Sequence, residues 1–203
     1  MTDDISRNKD ATQQRILAAA AQILSAHGLA ALGVNNLAKA ALCDKKLIYR
    51  YFGGLDGVIA ALGQDVAQRF VDALDQTKVN MAEGWRGFEL ALLDGLLAAY
   101  RADPLLARLR AAEMASQDSG FAPFAQARAA LLQRWIAQHR PRNDPPPHVD
   151  LAAFNAAMIG AVESAVISAT NSGSFAGMSL STATEWQRYD QALKNIVLSQ
   201  FPV

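Results

Sequence analysis

The chain has 203 residues, long enough for one large domain or two small ones, and 51% of them are apolar, ample for a core. Its 19 basic and 19 acidic side chains cancel, which excludes a protein that coats nucleic acid indiscriminately, and its single cysteine, Cys43, excludes an internal disulfide and suits a reducing compartment. No run approaches the ~18 apolar residues of a membrane span, and the first ten residues are polar rather than a signal peptide, so a soluble, cytoplasmic chain with no membrane partner is expected.

The charge is unevenly placed. Residues 1–55 hold seven basic side chains (Arg7, Lys9, Arg15, Lys39, Lys45, Lys46, Arg50) against four acids (Asp3, Asp4, Asp10, Asp44), a net +3. Because the whole chain sums to zero, the remainder carries −3. A basic N-terminal module on a mildly acidic body fits local contact with a polyanion.

Residues 1–9 read as a disordered tail, or as a flexible arm that brings Arg7 and Lys9 to a phosphate or minor groove. A first helix is expected to start near Asp10 or Thr12, where Asp10 and Gln13 approximate a capping box. Ile16, Leu17, Ala20, Ile23 and Leu24 recur at helical spacing as its buried face. Gly28 ends it. A second helix, about 34–41, turns Val34, Leu37, Ala38 and Ala41 inward and Asn35, Asn36 and Lys39 outward. Leu42 and Cys43 make a brief turn into a third helix, 44–52. Asp44 can cap that helix, since its carboxylate accepts orphan backbone N–H groups and suits the positive end of the dipole. Gly53 and Gly54 end it. Ile48 and Phe52, four apart, share one face and are assigned to the core; Lys46 and Arg50, also four apart, share roughly the opposite face. Two short helices joined by a tight turn, the second basic, form a helix-turn-helix. A solvated surface helix is the competing interpretation of these nine residues.

The segment 16–58, with Gly28, Ala31, Val34, Leu37-Ala38, Ala41, Ile48-Tyr49 and Tyr51-Phe52-Gly53, resembles the DNA-binding domain of TetR-family transcriptional regulators. The resemblance covers about a quarter of the chain. It implies base-reading roles for Lys45, Lys46, Leu47 and Tyr49, with help from Asn35, and phosphate-gripping roles for Arg50 and Tyr51. The side chains agree in part: lysine donates to guanine O6 and N7, leucine meets a thymine methyl, and Arg and Tyr suit phosphate oxygens. Packing under a neighbouring helix is the alternative for Tyr49 and Tyr51. The chain departs from the family pattern with Leu42 at a turn usually made by glycine, Gly33 at the cap of helix two, Lys46-Leu47 in the recognition helix, and Leu55 where a lysine is common. The resemblance further implies a ligand-responsive repressor that binds a pseudo-palindromic double-stranded DNA operator as a homodimer.

On this basis the chain divides at residue 55 into a three-helix head, 10–55, and a helical effector-binding and dimerisation body, 56–203. Asp56 is expected to cap a long helix to about residue 80, with Val58, Ile59, Leu62, Val66, Phe70, Val71 and Leu74 as its apolar stripe. A nearly all-apolar helix at 85–100 is therefore central. Further helices are expected at 104–116, after Asp103, and at 123–139, with a loop at 117–120 between them. The proline-rich segment 140–147 cannot be helical and reads as an exposed connector. A helix at 149–171, rich in alanine and other small residues, and a last helix at 184–200 follow a common expectation for the family, pairing with their copies across a dimer. Phe154, Met158, Val162, Trp186 and Leu193 are the residues taken for that interface; closing the monomer core is the alternative. The fold class is all-α.

No catalytic constellation, cofactor or metal is expected. His27, His139 and His148 are scattered, no glycine-rich phosphate loop follows a strand, and Cys/His clusters and acid pairs at metal-binding spacing are absent from the sequence. An all-helical enzyme would need a site assembled only in three dimensions. An apolar or amphipathic small-molecule effector has candidate contacts in Trp85, Phe88, Tyr100, Met114, Phe121, Phe124 and Trp135, with Glu113 and Asp94 as polar anchors. Ordinary core packing explains each aromatic equally well.

Overall fold

A computed structural model describes residues 2–115 and 121–202. Their order is α1 Thr2–His27, α2 Val34–Ala40, α3 Lys45–Phe52, α4 Leu55–Asp75, α5 Gly84–Ala102, α6 Pro104–Ala115, α7 Ala122–His139, α8 Leu151–Ser172 and α9 Ala183–Gln200. Short 3-10 helices occupy Leu29–Ala31 and Met81–Glu83, and a two-residue hairpin pairs β1 Ser174–Phe175 with β2 Met178–Ser179. The loop expected at 117–120 lies outside the described residues.

The described residues form two compact units, one made of 2–68, 108–115 and 121–129, the other of 69–107 and 130–202. In the first unit α1 packs on α2 and α2 on α3. The core expected from helical spacing is present: Ile16, Ala20, Leu24, Leu37 and Ile48 are buried, as are Val58, Leu62 and Val66 of α4. Gly63 belongs to the same core. A Cβ there would stand 2.6 Å from the Cβ of Phe124, so only a residue without one lets α7 approach this closely. In the second unit α5 lies against α8 and α9, and its buried residues occupy most of its circumference. That fits a helix whose sequence is apolar nearly all round.

Several boundaries differ from the sequence expectation. The first helix starts at Thr2, so Asp10 and Thr12 lie within it and neither begins it. Residues 2–9 lack an apolar stripe, but a polar segment extends a helix already nucleated by packing further along. Asp56 is a first-turn residue of α4, favourable to the dipole, and not its cap. The helix ends at Asp75, short of residue 80. The last helix is entered through Thr182, whose hydroxyl accepts from the Glu185 N–H while the Glu185 carboxylate accepts from the Thr182 N–H at 2.8 Å, a complete capping box. The segment 173–181, between the two last helices, holds the β1–β2 hairpin.

Over its most apolar 18 residues α8 has a mean hydropathy of 1.5, long and apolar enough to cross a membrane by length and composition. This amends the expectation that no segment approaches that threshold. Alanine, valine and isoleucine dominate its 22 residues, and Glu163 is its one charged side chain.

Candidate nucleic-acid interface

The geometry of α3 follows from its two ends. At the start, Asp44 Oδ1 accepts the Lys46 N–H at 2.8 Å, closing the first turn. At the finish, Gly53 adopts φ 76° and its N–H donates to Tyr49 O at 2.9 Å. The turn before α3 has an unusual residue at its corner. Leu42 takes φ 50° with its side chain 85% exposed, while the Cys43 N–H donates to Ala38 O at 3.1 Å. The corner that glycine makes without a steric penalty is here made by leucine, with no packing in return. Burial pushes the Cys43 thiol up, the nearby Arg15 opposes this, and Asp44 adds to it, so the sulfur stays protonated at neutral pH.

Between these caps α3 presents one buried and one exposed face. Ile48 is fully buried. Lys45, Lys46, Tyr49 and Arg50 are exposed, and at about 100° per residue they cover a contiguous arc of roughly 140°. Leu47 and Tyr51 lie half-buried on its far flank. Phe52, expected in the core with Ile48, is also only half-buried, because α3 ends there and the chain turns away at Gly53. Asn35 is exposed at the first turn of α2 and lines an open cleft with Lys45 and Tyr49. Beside it, the Asn36 amide is spent on Ala31 O at 3.1 Å. Thus Asn35, Lys45 and Tyr49 come together and Lys46 and Arg50 extend their surface. Among the described residues no intramolecular ion pair neutralises Lys45, Lys46 or Arg50.

A family model matches this module. Residues 16–62 fit the model described as bacterial regulatory proteins of the tetR family. Over these residues the chain is similar to that family. A curated relative, the HTH-type transcriptional repressor SCO4008 of Streptomyces coelicolor, is 30% identical over 106 residues, covering 51% of this chain and 50% of that protein. The chain thus spans about half the length of the curated relative it matches. Beyond residues 16–62 the fold itself has solved counterparts. A TetR-family regulator from a Rhodococcus species superposes with a TM-score of 0.70 at 17% identity, covering 92% of this chain and 98% of that one. The fatty acid degradation regulator FadR of Bacillus halodurans gives 0.60 at 22% identity, covering 89% and 97%. At these identities the likeness is one of fold: an all-α chain with an N-terminal helix-turn-helix.

In the second unit, the aromatic residues named as effector contacts are packed against one another. Trp85 meets Phe88 edge-on at 5.8 Å, and Phe88 stacks on Trp135 at 6.0 Å. Tyr100 meets Phe70 at 5.7 Å and its hydroxyl donates to Glu163. All four are buried. Phe121 and Phe124 are buried in the first unit, where Met114 is 60% exposed and so serves poorly as a pocket wall. The expected polar anchors are already engaged: Glu113 pairs with Arg110 at 3.1 Å and Arg128 at 3.7 Å, and Asp94 pairs with Lys194 at 2.7 Å.

The residues taken for the dimer interface differ in how far their own chain encloses them. Met158, Val162, Trp186 and Leu193 are buried within the chain, and only Phe154, half-buried against Phe201 at 5.4 Å, retains some exposure. A helical apolar stripe packs equally well on its own core or on a copy, and here the larger side chains are used by the core. Exposed on α8 instead are Ala152, Ala153, Ala156 and Ala157, with Ile196 at 47% exposure on α9.

One buried residue escaped the sequence analysis. Glu89 is 2% exposed within α5, and burial raises its carboxyl to about 7, a hydrogen bond from Asn155 opposing the rise. A signal was present: Glu89 follows Trp85 by four positions and precedes Leu92 and Leu96 by three and seven, which places a carboxylate on the apolar stripe.

Proposed function

We propose that the chain is a DNA-binding transcriptional regulator, a repressor that occupies a pseudo-palindromic operator as a homodimer in the cytoplasm and responds to a small-molecule ligand. The observation that carries this reading is the capped α3 with Lys45, Lys46, Tyr49 and Arg50 exposed on one arc and no internal ion pair among the described residues to offset the cations. In this reading Lys45, Lys46, Leu47, Tyr49 and Asn35 meet base edges, and Arg50 and Tyr51 meet phosphate. The likeness of residues 16–62 to the tetR family and the repressor relative support it. Two heads are needed to read half-sites about 34–36 Å apart. The alanine face of α8 supports a pairing surface: only 28% of its most apolar window is buried within the chain. Small side chains there let two helices approach closely.

Selection from a randomised duplex pool tests the reading, with wild type and Lys46→Ala/Arg50→Ala compared. Enrichment of a pseudo-palindrome by wild type alone is expected, with an affinity that falls steeply as salt rises. Failure to enrich any sequence at low salt refutes DNA recognition.

A further inference from the structure

Most buried or half-buried acids in the second unit have donors. Glu163 accepts from Tyr100, and Asp94 and Asp190 share Lys194 at 2.7 and 2.9 Å. Glu89 of α5 has a neutral partner instead, Asn155 of α8, whose amide N–H donates to the carboxyl. Glu89 Oε1 and Asn155 Oδ1 are left over, both buried and neither with a hydrogen bond. The cavity the two residues line measures about 10 Å³, room for one water at most. Its other walls are aliphatic side chains of α5, α8 and α9, Leu96, Met158 and Val197 among them, and none titrates. The cations of α5 and α9 are engaged or turned elsewhere. Arg86, three residues before Glu89, pairs with Glu83 at 3.1 Å, Arg101 lies over the Trp186 ring at 4.8 Å, Lys194 holds the two aspartates, and Arg188 is exposed. On α8 the one charged side chain is Glu163, taken by Tyr100.

A carboxylate cannot relieve two leftover acceptors, since it offers only acceptors of its own. Among apolar walls with no cation, its charge is costly as well. A carboxylic acid relieves both oxygens at once. Acid and primary amide each present a donor beside an acceptor, so the pair closes two hydrogen bonds, Asn155 N–H to the carboxyl and Glu89 O–H to Asn155 Oδ1. This joins α5 to the first turns of α8, whose outer side carries the exposed Ala152, Ala153, Ala156 and Ala157. We propose that Glu89 and Asn155 form a proton-operated latch between α5 and α8. The neutral acid seats the first turns of α8, and loss of its proton to solvent unseats them together with the alanine face. The raised carboxyl agrees with a proton held up to about neutral pH. The link to self-association rests on the reading of the chain as a homodimer paired through α8. One water donating to both oxygens is the rival arrangement, and it leaves the carboxylate charged.

The test compares the full chain at pH 6 and pH 8 with Glu89→Gln, whose amide keeps a donor beside an acceptor and cannot ionise. Difference infrared spectra against the variant are expected to show the carbonyl stretch of a protonated acid at pH 6 and its loss by pH 8. Amide hydrogen exchange over residues 151–160, corrected for its intrinsic pH dependence, reads the seating of α8. A carboxyl titrating near 7 when latched and near 4.5 when exposed makes opening about tenfold more favourable at pH 8 than at pH 6. Protection is therefore expected to fall about tenfold in wild type and to stay constant in Glu89→Gln. Self-association, measured by sedimentation, is expected to weaken by at least about tenfold over the same interval, again in wild type alone. Equal protection at the two pH values, or an equal change in the variant, overturns the latch. So does the absence of the acid band at pH 6, which gives the two oxygens to a water. The exchange comparison on wild type stands even where the variant fails to fold. A latch that opens while self-association holds constant overturns the coupling to the alanine face. A chain monomeric at both pH values removes the homodimer reading, and the exchange result still decides the latch.

Discussion

Glu89→Gln also makes a prediction about stability in the absence of any ligand. Raising the carboxyl from 4.5 to about 7 on folding corresponds, at about 1.4 kcal/mol per tenfold in proton affinity, to about 3 kcal/mol. The sign follows from proton uptake. Between pH 4.5 and 7 the folded chain binds this proton more tightly than the unfolded chain, so stability falls as pH rises through that window. Below it both states are protonated and the residue costs nothing; above it the whole cost of about 3 kcal/mol is present. Glutamine does not titrate, so any fixed cost of its own amide cancels when the variant is compared with wild type at two pH values. Relative to wild type, Glu89→Gln should therefore gain about 3 kcal/mol between pH 4.5 and pH 8, roughly 6–12 °C in melting temperature for a chain of this size. Urea unfolding of both proteins across that range, at fixed protein concentration, measures it. A stability difference independent of pH would refute the reasoning, for it would mean that Glu89 titrates like an exposed carboxyl.

Leu42→Gly should stabilise the chain by about 0.5–1 kcal/mol in chemical denaturation, since the strain of a left-handed leucine exceeds the backbone entropy that glycine adds to the unfolded state; destabilisation would show that the leucine makes contacts its 85% exposure denies. Thr182→Ala removes the capping hydroxyl of α9 and should cost about 1 kcal/mol, with Thr182→Ser restoring most of it; equal loss in both variants would place the effect elsewhere. Tyr100→Phe takes a donor from the buried Glu163 and should lower stability by about 2 kcal/mol. An unchanged denaturation midpoint would show that the hydrogen bond contributes nothing.

What could be read in advance was local. The head needed only spacing: Ile16, Ala20 and Leu24 on one face, Asp44 before α3, Gly53 after it, and basic residues opposite Ile48. Each interaction spans a few residues, so the sequence states both partners. The capping box of α9 was equally local, in Thr182 and Glu185, and was overlooked. The β1–β2 hairpin was harder. Its turn needs positive φ at Ala176 (48°) and Gly177 (80°), and alanine in the first position is not the residue that marks such a turn.

Sequence by itself determined that this chain is all-α, where its helix-turn-helix lies, and that Lys46 and Arg50 of α3 lie opposite Ile48. Tertiary structure alone decided what each apolar stripe is packed against. Val162 and Leu193 looked available to a second copy and are enclosed by their own chain. Glu113 and Asp94 looked available to a ligand and are held by Arg110, Arg128 and Lys194. Glu89, unremarked among leucines, is left with an unpaired oxygen because α8 and α9 bring no cation to it. A helical period tells which residues share a face; the partner of that face comes from segments far along the chain, and only packing brings them together.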